Sequence, residues 1–109
     1  MAWIRAAAAT PFGRHEGLDS VDLMSQAATL ALQQAELERS DIGGVVCGHS
    51  TTHPHLMLAT VFAEHFGVQP HYAHGVQHGG ATGLAMVMLA NALVEQGVVD
   101  HILVIAGEN

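Results

Sequence analysis

From Ala81 to Val94 the sequence reads Ala-Thr-Gly-Leu-Ala-Met-Val-Met-Leu-Ala-Asn-Ala-Leu-Val, a helical stretch that is apolar on every face. A helix without a polar side is covered all round rather than laid on a surface. A chain of 109 residues is at most one modest domain and leaves much of its surface unburied. It cannot enclose such a helix alone, so the outer face is expected to meet a second domain or subunit. Composition points the same way. Charged residues make up 12% of the chain, about half the usual ~25%. Too few charges are present to coat a small globule.

The segments around this helix alternate in period. Trp3 to Ala9 is a short apolar run ended by Thr10-Pro11-Phe12-Gly13 and is expected to form a first strand. Asp19 or Ser20 offers a helix cap. Val21, Met24, Ala28, Ala31 and Ala35 then follow helical spacing to about Leu37. Gly44-Val45-Val46-Cys47 suits a buried parallel strand. His49 to Pro54 is polar and loop-like, with Pro54 placed to open a helix. Leu58, Phe62 and Phe66 recur every four residues beside Ala59 and Ala63, and Gly67 closes that helix. Pro70 to Val76 is a weaker strand candidate. Gly79-Gly80 precedes the apolar helix, which runs from about Ala81 to Glu95 and is closed by Gly97. Val98 to Ala106 is a β-branched final strand. The order β-α-β-α-β-α-β predicts a layered α/β sheet.

Several functions are excluded early. The formal net charge is −7, and the only basic residues are the scattered Arg5, Arg14 and Arg39. Nucleic-acid binding needs clustered Lys and Arg, and so does a polybasic membrane patch. Cys47 is the single cysteine, so no intrachain disulfide can form. The start of the chain lacks the pattern of a signal peptide, and the most apolar segment is too short to span a bilayer. A soluble cytoplasmic protein is the expectation.

Three segments in register resemble the thiolase superfamily. Ala9-Thr10-Pro11-Phe12-Gly13-Arg14 is similar to the turn after that family's first strand, with Ala9 in place of its usual arginine. Gly44-Val45-Val46-Cys47-Gly48 is similar to the second strand. Val76-Gln77-His78-Gly79-Gly80-Ala81-Thr82-Gly83-Leu84 resembles the nucleophile turn, and His101 to Glu108 the strand that follows the central helix. The resemblance implies an α/β/α half-domain over residues 1–109, with a mostly parallel mixed sheet and a buried central helix. The family sheet has a fifth strand between the first and fourth, and this sequence holds none. A gap or altered pairing is therefore expected. Family members pair two such halves, usually in dimers, so a homo-oligomer or a C-terminal half on a partner chain is implied.

The same resemblance implies acyl-CoA handling, with the CoA thioester as substrate and no further cofactor. The chemistry places a cysteine thiolate at a helix start, where free N–H groups lower its pKa and it attacks the acyl carbonyl. Aligned on Thr82-Gly83-Leu84, that place falls on Gly80. Cysteine acyl-enzyme chemistry is thus not expected; aldol-type C–C bond cleavage, or no catalysis, is. What Gly79 and Gly80 keep is backbone N–H that a ligand can approach closely. The other reading is a glycine pair that only lets the helix pack tightly. His78 is the candidate for contacting substrate. Cys47 reads as a small core residue, its alternative being a substitute nucleophile. Glu108 reads as structural. The nine histidines include His49, His53 and His55 in one loop and His71, His74 and His78 before the turn, with no zinc-ligand spacing, so no metal residue is assigned. Two competing readings stand beside an acyl-CoA enzyme: a non-catalytic interaction module and a histidine-rich metal module.

Overall fold

The computed structural model describes residues 2–109. Helix α1 spans Ser20–Ala35, strand β1 Gly44–Gly48, helix α2 Leu58–Phe66, strand β2 Tyr72–Val76, helix α3 Thr82–Glu95 and strand β3 Ile102–Ile105. Short 3-10 turns at Arg39–Asp41 and Gly79–Ala81 lead into β1 and α3. The sheet order is β2-β1-β3, and both pairings are parallel. β1 is therefore the central strand, and each of its five residues is buried.

Alternation along β1 divides the core into two layers. Val45 and Cys47 face α1 and α2, where Met24, Ala28, Phe62 and Phe66 complete the larger cluster. Val46 faces the other way, against Val76 and Met86, with Ala85, Leu89 and Val104 around them. Two helices thus cover one face of the sheet and α3 alone covers the other. This is the expected α/β/α layering.

α1 starts where its sequence provides a cap. The Asp19 carboxylate accepts the Asp22 N–H at 2.8 Å, and the Asp22 carboxylate accepts the Asp19 N–H at 3.0 Å. This reciprocal box satisfies two donors that the helix start leaves open. The Asp22 N–H, working against partial burial, holds the Asp19 carboxyl below its ordinary range. Asp19→Ala should cost about 1 kcal/mol of stability in urea unfolding; an unchanged midpoint would show that the cap does not matter. Along the helix Val21, Met24, Ala28 and Ala35 are buried as expected, while Leu32 takes the place expected of half-buried Ala31.

The C-terminal ends of α1 and α2 are closed by arginine. Arg5 Nη2 donates to the Ala35 carbonyl at 2.9 Å. Arg39 Nε donates to the Phe66 carbonyl at 2.8 Å, and its guanidinium carbon lies 4.2 Å from the centroid of the Phe66 ring. Cations there meet unpaired carbonyls and the negative end of the helix dipole.

Three expectations change. Trp3 to Ala9 forms no strand; residues 2–19 contain neither helix nor strand, and Trp3 and Ile4 are exposed. The resemblance put another strand between this segment and β3, and an alanine-rich run with no neighbour to pair with has little reason to extend. The sheet is accordingly three-stranded and wholly parallel rather than mixed. α2 begins at Leu58, not at Pro54; just ahead of it the Met57 N–H donates to the His55 ring instead of opening a helical turn. α3 packs by one face only, as expected of a chain too short to enclose it alone. Thr82, Met86 and Ala90 are buried, whereas Leu84 and Met88 are 77% and 74% exposed. The all-round cover its sequence asks for does not come from this chain. No helix among the described residues is long and apolar enough to cross a membrane.

Candidate functional site

Parallel strands end together, and a crevice beyond their carboxyl ends is where α/β sheets place ligands. Here those ends are Gly48, Val76 and Ile105. Gly48 lets the layers close up: a Cβ there would stand 3.0 Å from the Ala106 Cβ and 3.5 Å from the Thr82 Cγ2. The start of α3 is thereby held beside the end of β1.

The turn into α3 is organised by Thr82, a residue that sequence reading passed over. Its hydroxyl donates to the Gly79 carbonyl at 2.7 Å and accepts the His78 N–H at 3.0 Å. The Ala81 N–H donates to the His78 carbonyl at 3.1 Å. Gly79 has φ +56, a left-handed conformation that favours glycine. Gly80 does not, and a Cβ added to it would meet nothing within 4 Å. Its lack of a side chain is not demanded by any close neighbour in the chain. Tight packing therefore accounts for neither glycine. Among the described residues, the N–H groups of Gly79 and Gly80 meet no acceptor.

His78, Gly79 and Gly80 thus fall together on one turn, and all three are exposed. Two surface depressions lie elsewhere, one lined by residues including Thr29, Gln33 and Arg39, the other by residues including Thr60, Glu64 and Pro70. They flank the segments that enter β1 and β2, away from the strands' carboxyl ends. The turn offers donors at an open surface, not inside an enclosed pocket.

Cys47 lies fully buried in the core, as expected. Its Sγ is 3.3 Å from the Gly48 carbonyl and 3.8 Å from the Met24 Sδ, and burial pushes its thiol up to about 12. A thiol that stays protonated is not a nucleophile. The histidines are dispersed. His53 Nδ1 lies 3.8 Å from the Asp19 carboxylate and His65 Nε2 3.3 Å from that of Asp22. The His55 Nδ1 accepts the Met57 N–H at 2.9 Å. Among the described residues no three His, Cys, Asp or Glu side chains gather as a metal site would require.

The polar centre of this end of the sheet is Glu108, two residues beyond Ala106. Its carboxylate accepts hydrogen bonds from the hydroxyls of Ser50 at 2.7 Å, Thr51 at 2.6 Å and Thr52 at 3.0 Å. The N–H groups of Thr51 and Thr52 point to the same carboxylate, the latter at 3.3 Å. These bonds fix residues 50–52 as part of the loop ahead of α2.

The arrangement is a thiolase-like α/β fold of the FabH type. The curated relatives agree. The chain is 34% identical over 96 residues to beta-ketoacyl-(acyl-carrier-protein) synthase III of Dinoroseobacter shibae, covering 85% of this chain and 29% of that protein. It is 30% identical over 93 residues to hydroxymethylglutaryl-CoA synthase of Methanosphaera stadtmanae, covering 83% and 27%. Among solved structures, Xanthomonas campestris OleA with bound lauric acid and lauroyl-CoA superposes with a TM-score of 0.77 at 25% identity, over 86% of this chain and 28% of that one. FabH of Xanthomonas oryzae gives 0.73 at 24% identity, over 84% and 28%. No family profile matches the chain. It spans under a third of the length of these relatives.

Proposed function

We propose that this chain handles acyl-CoA thioesters, in C–C bond cleavage or acyl transfer, and holds the thioester at the His78-Gly79-Gly80 turn. The observation that carries the reading is the pair of exposed, unpartnered N–H groups at Gly79 and Gly80, at the start of a long helix and the carboxyl ends of the strands. Such donors suit the oxygen of a thioester carbonyl as negative charge develops on it. His78 stands next to them and can contact the substrate.

Gly80 occupies the position where thiolase-type chemistry needs its attacking sulfur, so a covalent cysteine acyl-enzyme is not part of this proposal. Cys47 offers no substitute, being sealed in the core. The opposite wall of the site would come from a second thiolase-like half or from another copy of the chain. The bare outer face of α3, with Leu84, Val87 and Met88 exposed, is compatible with such a partner. That face also favours the second reading, a non-catalytic interaction module built on the same fold.

A thermal-shift titration with CoA, acetyl-CoA and lauroyl-CoA distinguishes them. A ligand at about ten times its Kd adds about 1.4 kcal/mol to the stability of the native state. For a domain of this size that raises Tm by roughly 5–10 °C. No shift at millimolar thioester, with or without a co-purifying partner, would leave the interaction module as the surviving reading.

A further inference from the structure

A carboxylate in a thioester site invites assignment as a general base, but the surroundings of Glu108 exclude that role. An ionised carboxylate offers about four lone-pair positions. Oε1 faces both the N–H and the hydroxyl of Thr51, while Oε2 faces Ser50, the Thr52 hydroxyl and the Thr52 N–H. Every acceptor position is taken by donors of the chain itself. Nothing remains to take a proton from a substrate or to ligate an ion.

The network continues inward and sideways. Ser50 Oγ lies 2.9 Å from Ser20 Oγ, which lies 2.6 Å from Thr52 Oγ1, and Ser20 is wholly buried at the first residue of α1. Asn109 extends the same staple. Its side-chain amide donates to the carbonyls of His15 and Leu18 at 2.7 and 2.6 Å, and its oxygen accepts the His15 N–H at 2.9 Å. The end of β3 therefore ties down the loop after β1 and the segment before α1 at once. The tied loop carries His49, His53 and His55. It leaves β1 at Gly48, against Thr82, and its first N–H, from His49, donates to the Val76 carbonyl at 3.2 Å. Its root therefore lies between the end of β2 and the turn that follows.

We propose that ionised Glu108 is a positioning residue: it fixes the histidine-bearing loop 49–57 beside the Gly79–Gly80 turn and so sets one side of the thioester site. This rests on reading that turn as the site. Partial burial raises the carboxyl's pKa, but the bonds from Thr51, Ser50 and Thr52 outweigh it and lower it to about 2. The clamp is therefore complete across the neutral range and loosens only in strong acid.

Proton–nitrogen NMR spectra of the full chain test the clamp directly. The Thr51 amide proton should lie far downfield, and that of Thr52, at the longer 3.3 Å, should be displaced less in the same direction. They should stay there from pH 5 to pH 3, although an unperturbed glutamate is half protonated near about 4.3. In Glu108→Gln one face of the side chain becomes a donor, so at least one of these bonds is lost. Both amides should move upfield and exchange at least about tenfold faster, while amides of α1 and α2 stay put and report an intact fold. Lauroyl-CoA should then bind the variant at least about tenfold more weakly than the original chain. Ordinary Thr51 and Thr52 shifts in the unaltered protein would overturn the clamp whatever binds. Lost shifts with unchanged lauroyl-CoA affinity would overturn the positioning role. A clamp seen by NMR in a chain that binds no thioester would overturn the site reading and, with it, the role assigned here.

Discussion

Phe62→Ala is expected to lower the stability of the chain by about 3–5 kcal/mol. Phe62 is the largest fully buried side chain, and its ring stacks on Phe66 with centroids 5.3 Å apart. Removing it takes away transfer energy and leaves a cavity between α2 and β1, where Val45 and Cys47 have no freedom to fill it. Small domains have only about 0.05–0.15 kcal/mol of stability per residue. The loss would therefore remove much of the total, and urea unfolding should show the midpoint collapsing. Phe62→Leu should lose far less. A loss below about 1 kcal/mol for the alanine variant would mean that α2 does not seat on the sheet through this face.

The second large effect is expected at the turn. Gly80→Cys should create a thiol whose alkylation rate is half-maximal near pH 7 or below, compared with about 8.5 for an ordinary cysteine. The backbone accepts the change, since Gly80 has no left-handed φ and a Cβ there meets nothing. Free N–H groups and the helix dipole would then favour the thiolate. Cys47 supplies an internal control, because a buried thiol with its pKa pushed up to about 12 should remain silent. A pH–rate profile with iodoacetamide reads both sites together. A midpoint at the ordinary value would show that the start of α3 does not favour an anion, and the thioester reading would lose its main support.

Most of the framework could be read from spacing alone. The helical stripe of α1, the four-residue recurrence in α2 and the buried run of β1 each depend on local periodicity, and each is found where it was expected. The failures share another cause. Whether Trp3 to Ala9 becomes a strand depends on a neighbouring strand, which no feature of the segment itself announces. The course of the loop after β1 depends on Glu108, more than fifty residues further along the chain. Pairing across that distance leaves no periodic trace, so Glu108 reads locally as a polar residue after a strand. Thr82 was hidden differently: its hydroxyl matters because it closes back on His78 and Gly79, and a threonine at a helix start has many uses. At the turn itself, the order of His78, Gly79 and Gly80 and their position ahead of a helix were legible. The openness of the surface around them was not.

The arginines bear on which part of a thioester this chain would grip under the reading proposed above. Of the three basic residues, Arg5 closes the end of α1 and Arg39 the end of α2, leaving the exposed Arg14. The nucleotide portion of CoA carries several phosphate charges and is held best by guanidinium or ammonium groups. At a charge of −7, and with Arg14 the one uncommitted arginine among the described residues, this chain offers that portion little attraction. On that reading, this chain's own share of the grip falls on the acyl and pantetheine arm. Truncated thioesters without the adenosine phosphates should do about as well as the complete molecule.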